Sequence, residues 1–363
     1  MKRALLVCTQ MELGGVQIRA LELKRFIEER GGKVDIVFLY RKSAAIAENE
    51  SIIAIFHEKT KNPISLLKGF FKLLRLYKNG QYASVVGFAH YASPIATTLG
   101  LFFGIKSRIA TQTNPPHDSK FAAVPLDKFC GAVGIYTANI AASEAIFNGL
   151  KDYPQRYRST LKIIHNGIRP IEPSMSRADA RNKFGFREGE KILINCGRLS
   201  HQKNQSFLID ILKRLPTDYR CVIVGEGELK SELENKAKDA NLSERFSLIG
   251  RIPPQDIADF MHAGDVFAFP SIFEAFGLAM VEAMAAGTPV VSSDYPALVE
   301  VAGDGAITLP LDAALWAAEI ENLISRPYRD TQAAKGIARS QNFSSDAMSA
   351  KFYAEMFGCQ SED

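Results

Sequence analysis

Short apolar runs of strand length alternate with amphipathic stretches of helical period along this chain, in two separate series. Residues 4–10 read as a buried strand, Gly14-Gly15 as a tight turn, 16–30 as an amphipathic helix closed by Gly31-Gly32, and 33–40 as a second strand. Further strands are expected at 84–88, 107–113, 140–143 and 162–164, the last just before Asn166-Gly167. Pro170, Pro173, Ser174 and Ser176, followed by a short charged helix, then mark residues 171–189 as an interdomain connection. A second series follows, with strands at 191–196, 220–224, 246–248, 266–269 and 289–292. Its helices are expected at 204–215, 229–240, 254–262, 278–286 and 312–325, with a last one at 345–356. Strand and helix in alternation imply parallel sheets, so the expectation is two Rossmann-like α/β domains facing each other across a cleft. They would be residues 1–168 and 169–342, with a C-terminal helical segment, 343–363, packing back on the first.

With 363 residues, the chain has room for two cores. Its five cysteines are dispersed without Cys-x-x-Cys spacing, so a reducing compartment and no structural metal are expected. The apolar run of the N-terminus stops at Cys8, too short for a signal sequence. No stretch approaches the ~20 apolar residues of a spanning helix. The net charge of +4 is unevenly placed. Up to His165 there are 23 Lys and Arg against 12 Asp and Glu, a net of +11, and the remainder nets −7. No nucleic-acid motif accompanies the basic half, which favours an anionic membrane or acceptor over nucleic acid. The segment 64–77, ISLLKGFFKLLRLY, carries Leu67, Phe70, Phe71 and Leu74 beside Lys68, Lys72, Arg75 and Lys78. It reads either as a helix lying on an anionic bilayer or as one packed on the sheet.

Ligands of open α/β sheets bind at the carboxyl ends of strands. After the strand at 191–196 come Gly197, Arg198 and Lys203, a glycine turn delivering a forked donor and a point charge to a helix start, as a diphosphate requires. After the strand at 266–269 come Glu274, Phe276, Gly277 and Leu278, then Glu282 on an otherwise apolar helix. A carboxylate in such surroundings is costly to bury unless hydroxyls donate to it, and a ribose diol offers two. Taken singly, these residues also fit a charged surface loop and a structural salt bridge.

Together, Gly197-Arg198 with Lys203, Gly225-Glu226-Gly227, and Glu274-x7-Glu282 running into Ala-Met-Ala-Ala-Gly-Thr-Pro-Val-Val closely resemble the retaining, nucleotide-diphospho-sugar-dependent glycosyltransferases of family 4, which have the GT-B fold. Gly14-Gly15 and Asn166-Gly167 are similar too, so the resemblance runs along nearly the whole chain and is strongest at 191–300. It implies that Arg198 and Lys203 hold the diphosphate and stabilise the leaving group, that Glu274 faces the donor sugar and that Glu282 binds the ribose. Gly14 and Gly15 would let their loop approach the phosphate. The base would rest near Gly225, Arg251 and Ile252. Relatives often place a histidine after the strand corresponding to 108–113. Here His117, Asn114 or, from an earlier strand, His90 are the candidates. Arg169 stands where relatives often have an acid, on the connector, and no chemistry is attached to it.

The implied activity is hexosyl transfer with retention, from a nucleotide-diphospho-sugar, UDP being the commonest base, to a glycan or lipid-linked acceptor. Bacterial cell-surface glycan assembly, in the cytoplasm or peripherally on the inner membrane face, is the expected setting. There is no Asp-x-Asp in the chain, so neither a metal nor another cofactor is expected, and cations would do the metal's work. Relatives are usually taken to retain configuration by same-face attack, with the leaving phosphate accepting the acceptor's proton. An epimerase or hydrolase on the same fold, or a non-catalytic partner keeping it, are the alternatives.

Overall fold

The computed structural model describes all residues except 1, 13, 43–45, 61, 114–122, 326 and 359–363. His117 and Asn114 therefore lie outside the described residues. The chain divides into two compact units, Met1–Gly167 with Ser345–Asp363, and Ile168–Ser344.

The first unit holds β1 (Arg3–Met11), α1 (Gly15–Glu28), β2 (Lys33–Arg41), β3 (Ile52–Phe56), α2 (Pro63–Gly80), β4 (Ser84–Phe88), α3 (Ala89–Phe102), β5 (Ser107–Gln112), α4 (Ala123–Ala132), β6 (Ala138–Ala141), α5 (Glu144–Gly149), α6 (Gln155–Arg158) and β7 (Leu161–Ile163). Its strands form one parallel sheet in the order β3-β2-β1-β4-β5-β6-β7. Strand alternation divides the core. Ala4, Leu6 and Cys8 pack on the α1 face, whereas Leu5 and Val7 pack on the opposite one with Leu73 and Tyr77 of α2 and Ala92 and Ala96 of α3. The right-handed crossover rule gives the same result, since β1 to β2 and β3 to β4 step in opposite directions along the sheet. The C-terminal helix of the chain, Ser345–Phe357, covers α1. Phe352 and Met356 share a core with Leu23 and Ile27, and Tyr353 stands edge-on to Phe26.

The second unit continues with α7 (Arg177–Lys183), β8 (Lys191–Cys196), α8 (Ser206–Leu212), β9 (Tyr219–Val224), α9 (Lys230–Asp239), β10 (Phe246–Leu248), α10 (Ile257–Ala263), β11 (Val266–Phe269), α11 (Leu278–Ala285), β12 (Val290–Ser293), α12 (Pro296–Ala302), β13 (Ile307–Leu309), α13 (Ala313–Ile324) and α14 (Tyr328–Ser340), which makes Ser345–Phe357 α15. Its sheet is parallel, in the order β10-β9-β8-β11-β12-β13.

Residues 171–189 are no free connector. Asp259 accepts from the Ser174 amide (2.7 Å) and hydroxyl (2.9 Å) and from Lys183, and both Arg177 and Arg181 pair with Asp265. These contacts fasten α7 to α10. The chain steps between units at Gly167–Ile168 and again at Ser344–Ser345, and just past the first step the Ile168 amide donates to Phe343 O at 2.8 Å.

Candidate active site

From β8 the second unit's chain runs outward to β9 and β10, then returns to pair β11 on the other flank of β8. Loops leaving β8 and β11 therefore open a crevice at their carboxyl ends, the place where doubly wound sheets take ligands. Gly197, Arg198 and Lys203 leave β8 there, and Glu274, Phe276 and Gly277 leave β11. In the first unit Gly14-Gly15 occupies the equivalent point, after β1 and between β2 and β4. Gly14 caps α1 in an extended conformation, and a Cβ there would stand 3.0 Å from Gln17 Oε1.

The β8 and β9 loops lie backbone against backbone. A Cβ on Gly225 would stand 1.8 Å from Gly197 O, and one on Gly227 would stand 2.1 Å from Leu199 O. Hydrogen bonds Gly197 N to Val224 O (2.9 Å) and Leu199 N to Glu226 O (3.0 Å) fill the space that side chains would take. The Gln205 side chain donates to Arg198 O at 2.9 Å. Gln202 ties this loop to the β11 loop, its side chain donating to Phe273 O (3.0 Å) and its carbonyl accepting from Ile272 N (2.8 Å). The crevice walls are thus braced before any ligand arrives.

Lys203 stands at the centre. Its stem packs over Gly197, its ammonium pairs with Glu274 and lies 4.9 Å from the Phe269 ring centroid, and its side chain is 19% exposed. Glu274 is buried and also accepts from Ser271 Oγ at 2.9 Å. Gly277 then turns the chain into α11 at φ 91° and ψ 51°, a left-handed conformation costly for other residues, and a Cβ there would meet Leu298 at 2.5 Å.

Glu282, one turn into α11, is partly buried. Among the described residues, no hydrogen bond or ion pair reaches its carboxylate. Burial pushes the carboxyl up to about 7, with Lys203 pulling the other way. The same surroundings raise the Cys196 thiol to about 12, chiefly by burial and then by the Glu282 charge, so Cys196 stays a neutral thiol.

Other expected residues sit differently. Arg198 is on the rim, 52% exposed and 3.4 Å from Glu228, a pair loose enough to re-aim. Arg251 is similarly exposed and paired with Glu226 at 3.0 Å. Ile252 packs against the core beside them. The Phe276 side chain is a core element, edge-on to Phe343 with ring centroids 5.2 Å apart, so only its backbone can meet a ligand. Leu278 also leans on the core. In the first unit, His90 is buried in the opening turn of α3. Sequence reasoning passed over Ser271, Gln202 and Gln205. The run His-Gln-Lys-Asn-Gln and the Ser after Pro270 were visible, but Gln205 and Gln202 bond to backbone carbonyls, the latter 71 residues away, and Ser271 matters through the Glu274 carboxylate, none of which residue type announces. Among the described residues no group of three or more His, Cys, Asp or Glu side chains could hold a metal.

Residues 176–340 match the family model of glycosyl transferases group 1. Over 148 residues the chain is 30% identical to an uncharacterized glycosyltransferase of Methanocaldococcus jannaschii, covering 39% of this chain and 38% of that one. A putative glycosyltransferase of Bacillus subtilis, EpsF, is 24% identical over 351 residues, 91% of this chain and 90% of its own. The chain thus spans about two fifths of the first relative and nine tenths of the second. Among solved structures, Anabaena HepE in complex with UDP and glucose superposes with a TM-score of 0.83 at 18% identity, covering 97% of this chain and 98% of that one. Two parallel-sheet Rossmann-like units with that likeness are the GT-B fold, and the segment similar to the glycosyl transferases group 1, residues 176–340, makes up most of the second unit.

Proposed function

We propose that the protein is a retaining glycosyltransferase that moves a hexose-type sugar from a nucleotide-diphospho-sugar to a glycan or lipid-linked acceptor, without a metal or other cofactor, in assembly of a cell-surface polysaccharide. One observation carries the reading: at the switch point of the second sheet, a preset Lys203–Glu274 pair stands beside the partly buried Glu282, whose carboxylate has no partner among the described residues. A ribose diol would supply Glu282 with the donors it lacks. Lys203 and, swung from Glu228, Arg198 would receive the diphosphate. HepE was solved with UDP and glucose, which supports UDP-sugars as the first donors to test.

In the reaction the bond from the anomeric carbon to the diphosphate oxygen breaks, and a bond from that carbon to the acceptor oxygen forms on the same face. The acceptor's proton passes to the departing phosphate. Negative charge grows on that phosphate, and each well-placed donor there is worth about 3 kcal/mol in the transition state. Glu274 keeps Lys203 on station. The protein would work in the cytoplasm, and peripheral contact with an anionic membrane belongs to the same reading.

The test is turnover with UDP-, GDP- and ADP-sugars, with and without acceptor and with and without EDTA, the product anomer being read by NMR. Acceptor-dependent transfer that survives EDTA and retains configuration is expected. Free sugar or an epimer released at full turnover without acceptor would replace transfer by hydrolysis or epimerisation.

A further inference from the structure

Residues Ile64, Leu67, Phe70 and Phe71 of α2 follow one another at helical spacing, and the fold leaves all four exposed. The residues α2 turns inward are others: Gly69, Leu73, Tyr77 and Gly80. The helix therefore has two apolar faces, and packing on the sheet uses only one. Next to it, α3 presents Tyr91, Ile95 and Phe102 outward, and α4 presents Leu126 and Phe129, with Val133 exposed just past its end. The three helices bridge successive strands in the same direction along the sheet, so they lie side by side on one face.

Two further facts single out this face. Every exposed aromatic side chain among the described residues is on it: Phe70, Phe71, Tyr91, Phe102 and Phe129, with Phe71 at 59%, Phe102 at 79% and Phe129 at 60%. And its charges have one sign. Lys68, Lys72, Arg75 and Lys78 on α2 and Lys128 on α4 are exposed, α2 and α3 have no acidic residue, and Asp127 of α4 is buried beneath Tyr136 and Tyr157. Exposed apolar surface on this scale is kept for a partner. Aromatic and long aliphatic side chains between lysines and arginines match the lipid headgroup boundary, where rings enter the acyl region and cations stay at the phosphates. Among the described residues no helix is long and apolar enough to cross a membrane.

We infer that the outer faces of α2, α3 and α4 form a docking surface for an anionic lipid bilayer, with Phe71 and Phe102 as apolar anchors and Lys68 and Arg75 as headgroup contacts. This surface belongs to the first unit, and Lys203, Glu274 and Glu282 belong to the second.

The experiment is co-sedimentation of the full chain with vesicles of phosphatidylglycerol in phosphatidylcholine, and with phosphatidylcholine alone. It needs neither donor nor acceptor, so it stands or falls separately from glycosyl transfer. The wild type should pellet with the anionic vesicles and be released by salt. Phe71→Ser combined with Phe102→Ser should weaken partitioning by at least about tenfold. Lys68→Ala and Arg75→Ala should each cost about fivefold. Leu315→Ser, an exposed apolar residue of the second unit, should change nothing, and unaltered melting should show that every variant is folded. A wild type that stays in the supernatant with anionic vesicles, or a Phe double variant that pellets equally well, overturns the inference. So does loss of lipid-free self-association in that variant without vesicle binding, which would make the face a contact between copies.

Discussion

Replacing Glu282 by Gln should stabilise the ligand-free protein at pH 8 and leave it unchanged near pH 4.5. The carboxyl is raised from 4.5 to about 7 by burial, partly offset by Lys203. Below about pH 4.5 the folded and unfolded chains both keep the proton, and there is no cost. Between there and pH 7 the unfolded chain releases it while the folded one holds it, so stability falls as pH rises. Above pH 7 the loss is constant. At about 1.4 kcal/mol per pH unit the full displacement amounts to roughly 3 kcal/mol. By exposed area the side chain is only partly buried, so solvent screening reduces this to about 1–2 kcal/mol. Glutamine keeps the shape and removes the charge. A gain of that size raises the melting temperature of the second unit by about 2–8 °C. The assay is thermal or urea unfolding of wild type and Glu282→Gln at both pH values, first without ligand and then with saturating UDP-sugar. With donor bound, wild type should regain the difference, because ribose hydroxyls then donate to its carboxylate. If the glutamine variant is no more stable at pH 8, or is equally stabilised at both pH values, the charged Glu282 carboxylate is not costly in the ligand-free fold and the ribose assignment loses its basis.

Lys203→Ala should lower kcat by about a hundredfold, as expected when a cation at the leaving group is lost, and cost about 1–3 kcal/mol because Glu274 is left buried with, among the described residues, only Ser271 as partner; steady-state kinetics and melting read both, and undiminished activity would remove Lys203 from the catalytic assignment. Gly225→Ala puts a methyl 1.8 Å from Gly197 O, which only a backbone shift can relieve; a loss of about 3 kcal/mol or more is expected in unfolding experiments, with donor affinity falling alongside, and a neutral substitution would show that the two loops are not locked. Asp259→Ala should cost about 2–3 kcal/mol, since it strips the Ser174 amide, the Ser174 hydroxyl and Lys183 of a common acceptor. Burial raises the Asp259 carboxyl, but those three donors outweigh it and hold it below the ordinary carboxylate range, so its contribution is present at neutral pH and disappears as acid protonates it. Melting of wild type and variant should therefore converge at low pH.

Much of the fold could be read from local pattern. Lys191–Cys196, Phe246–Leu248 and Val266–Phe269 are apolar runs bounded by glycine, charge or turn residues, and the structure makes each a strand with those ends. Ends shifted where backbone conformation intervened. The helix expected from 204 begins at Ser206 because Asn204 is left-handed, with φ 52°. The one expected at 254–262 opens as a 3-10 turn over Pro254–Asp256 before α10. Other elements carried too little signal. β3 is a bare run of five apolar residues, and β13 is three residues long. Helix α14 buries only Gly336 and Ser340, so it packs by close backbone approach and shows no apolar stripe.

What the sequence by itself determined was the alternation that makes two parallel sheets, and the residue types gathered after β8 and β11, because strand and helix periods and glycine turns are local properties. Pairing was decided by the tertiary structure. Lys203 and Glu274 are 71 residues apart and meet only because β11 returns to the flank of β8. Gly225 became indispensable only when Gly197 O was laid against it. And α2, whose composition suits a sheet or a bilayer equally, was resolved by burial: the sheet took Leu73 and Tyr77, leaving Phe70 and Phe71 outside. A sequence lists which groups are present along a helix, but which side of it is covered depends on every other element competing for the same core.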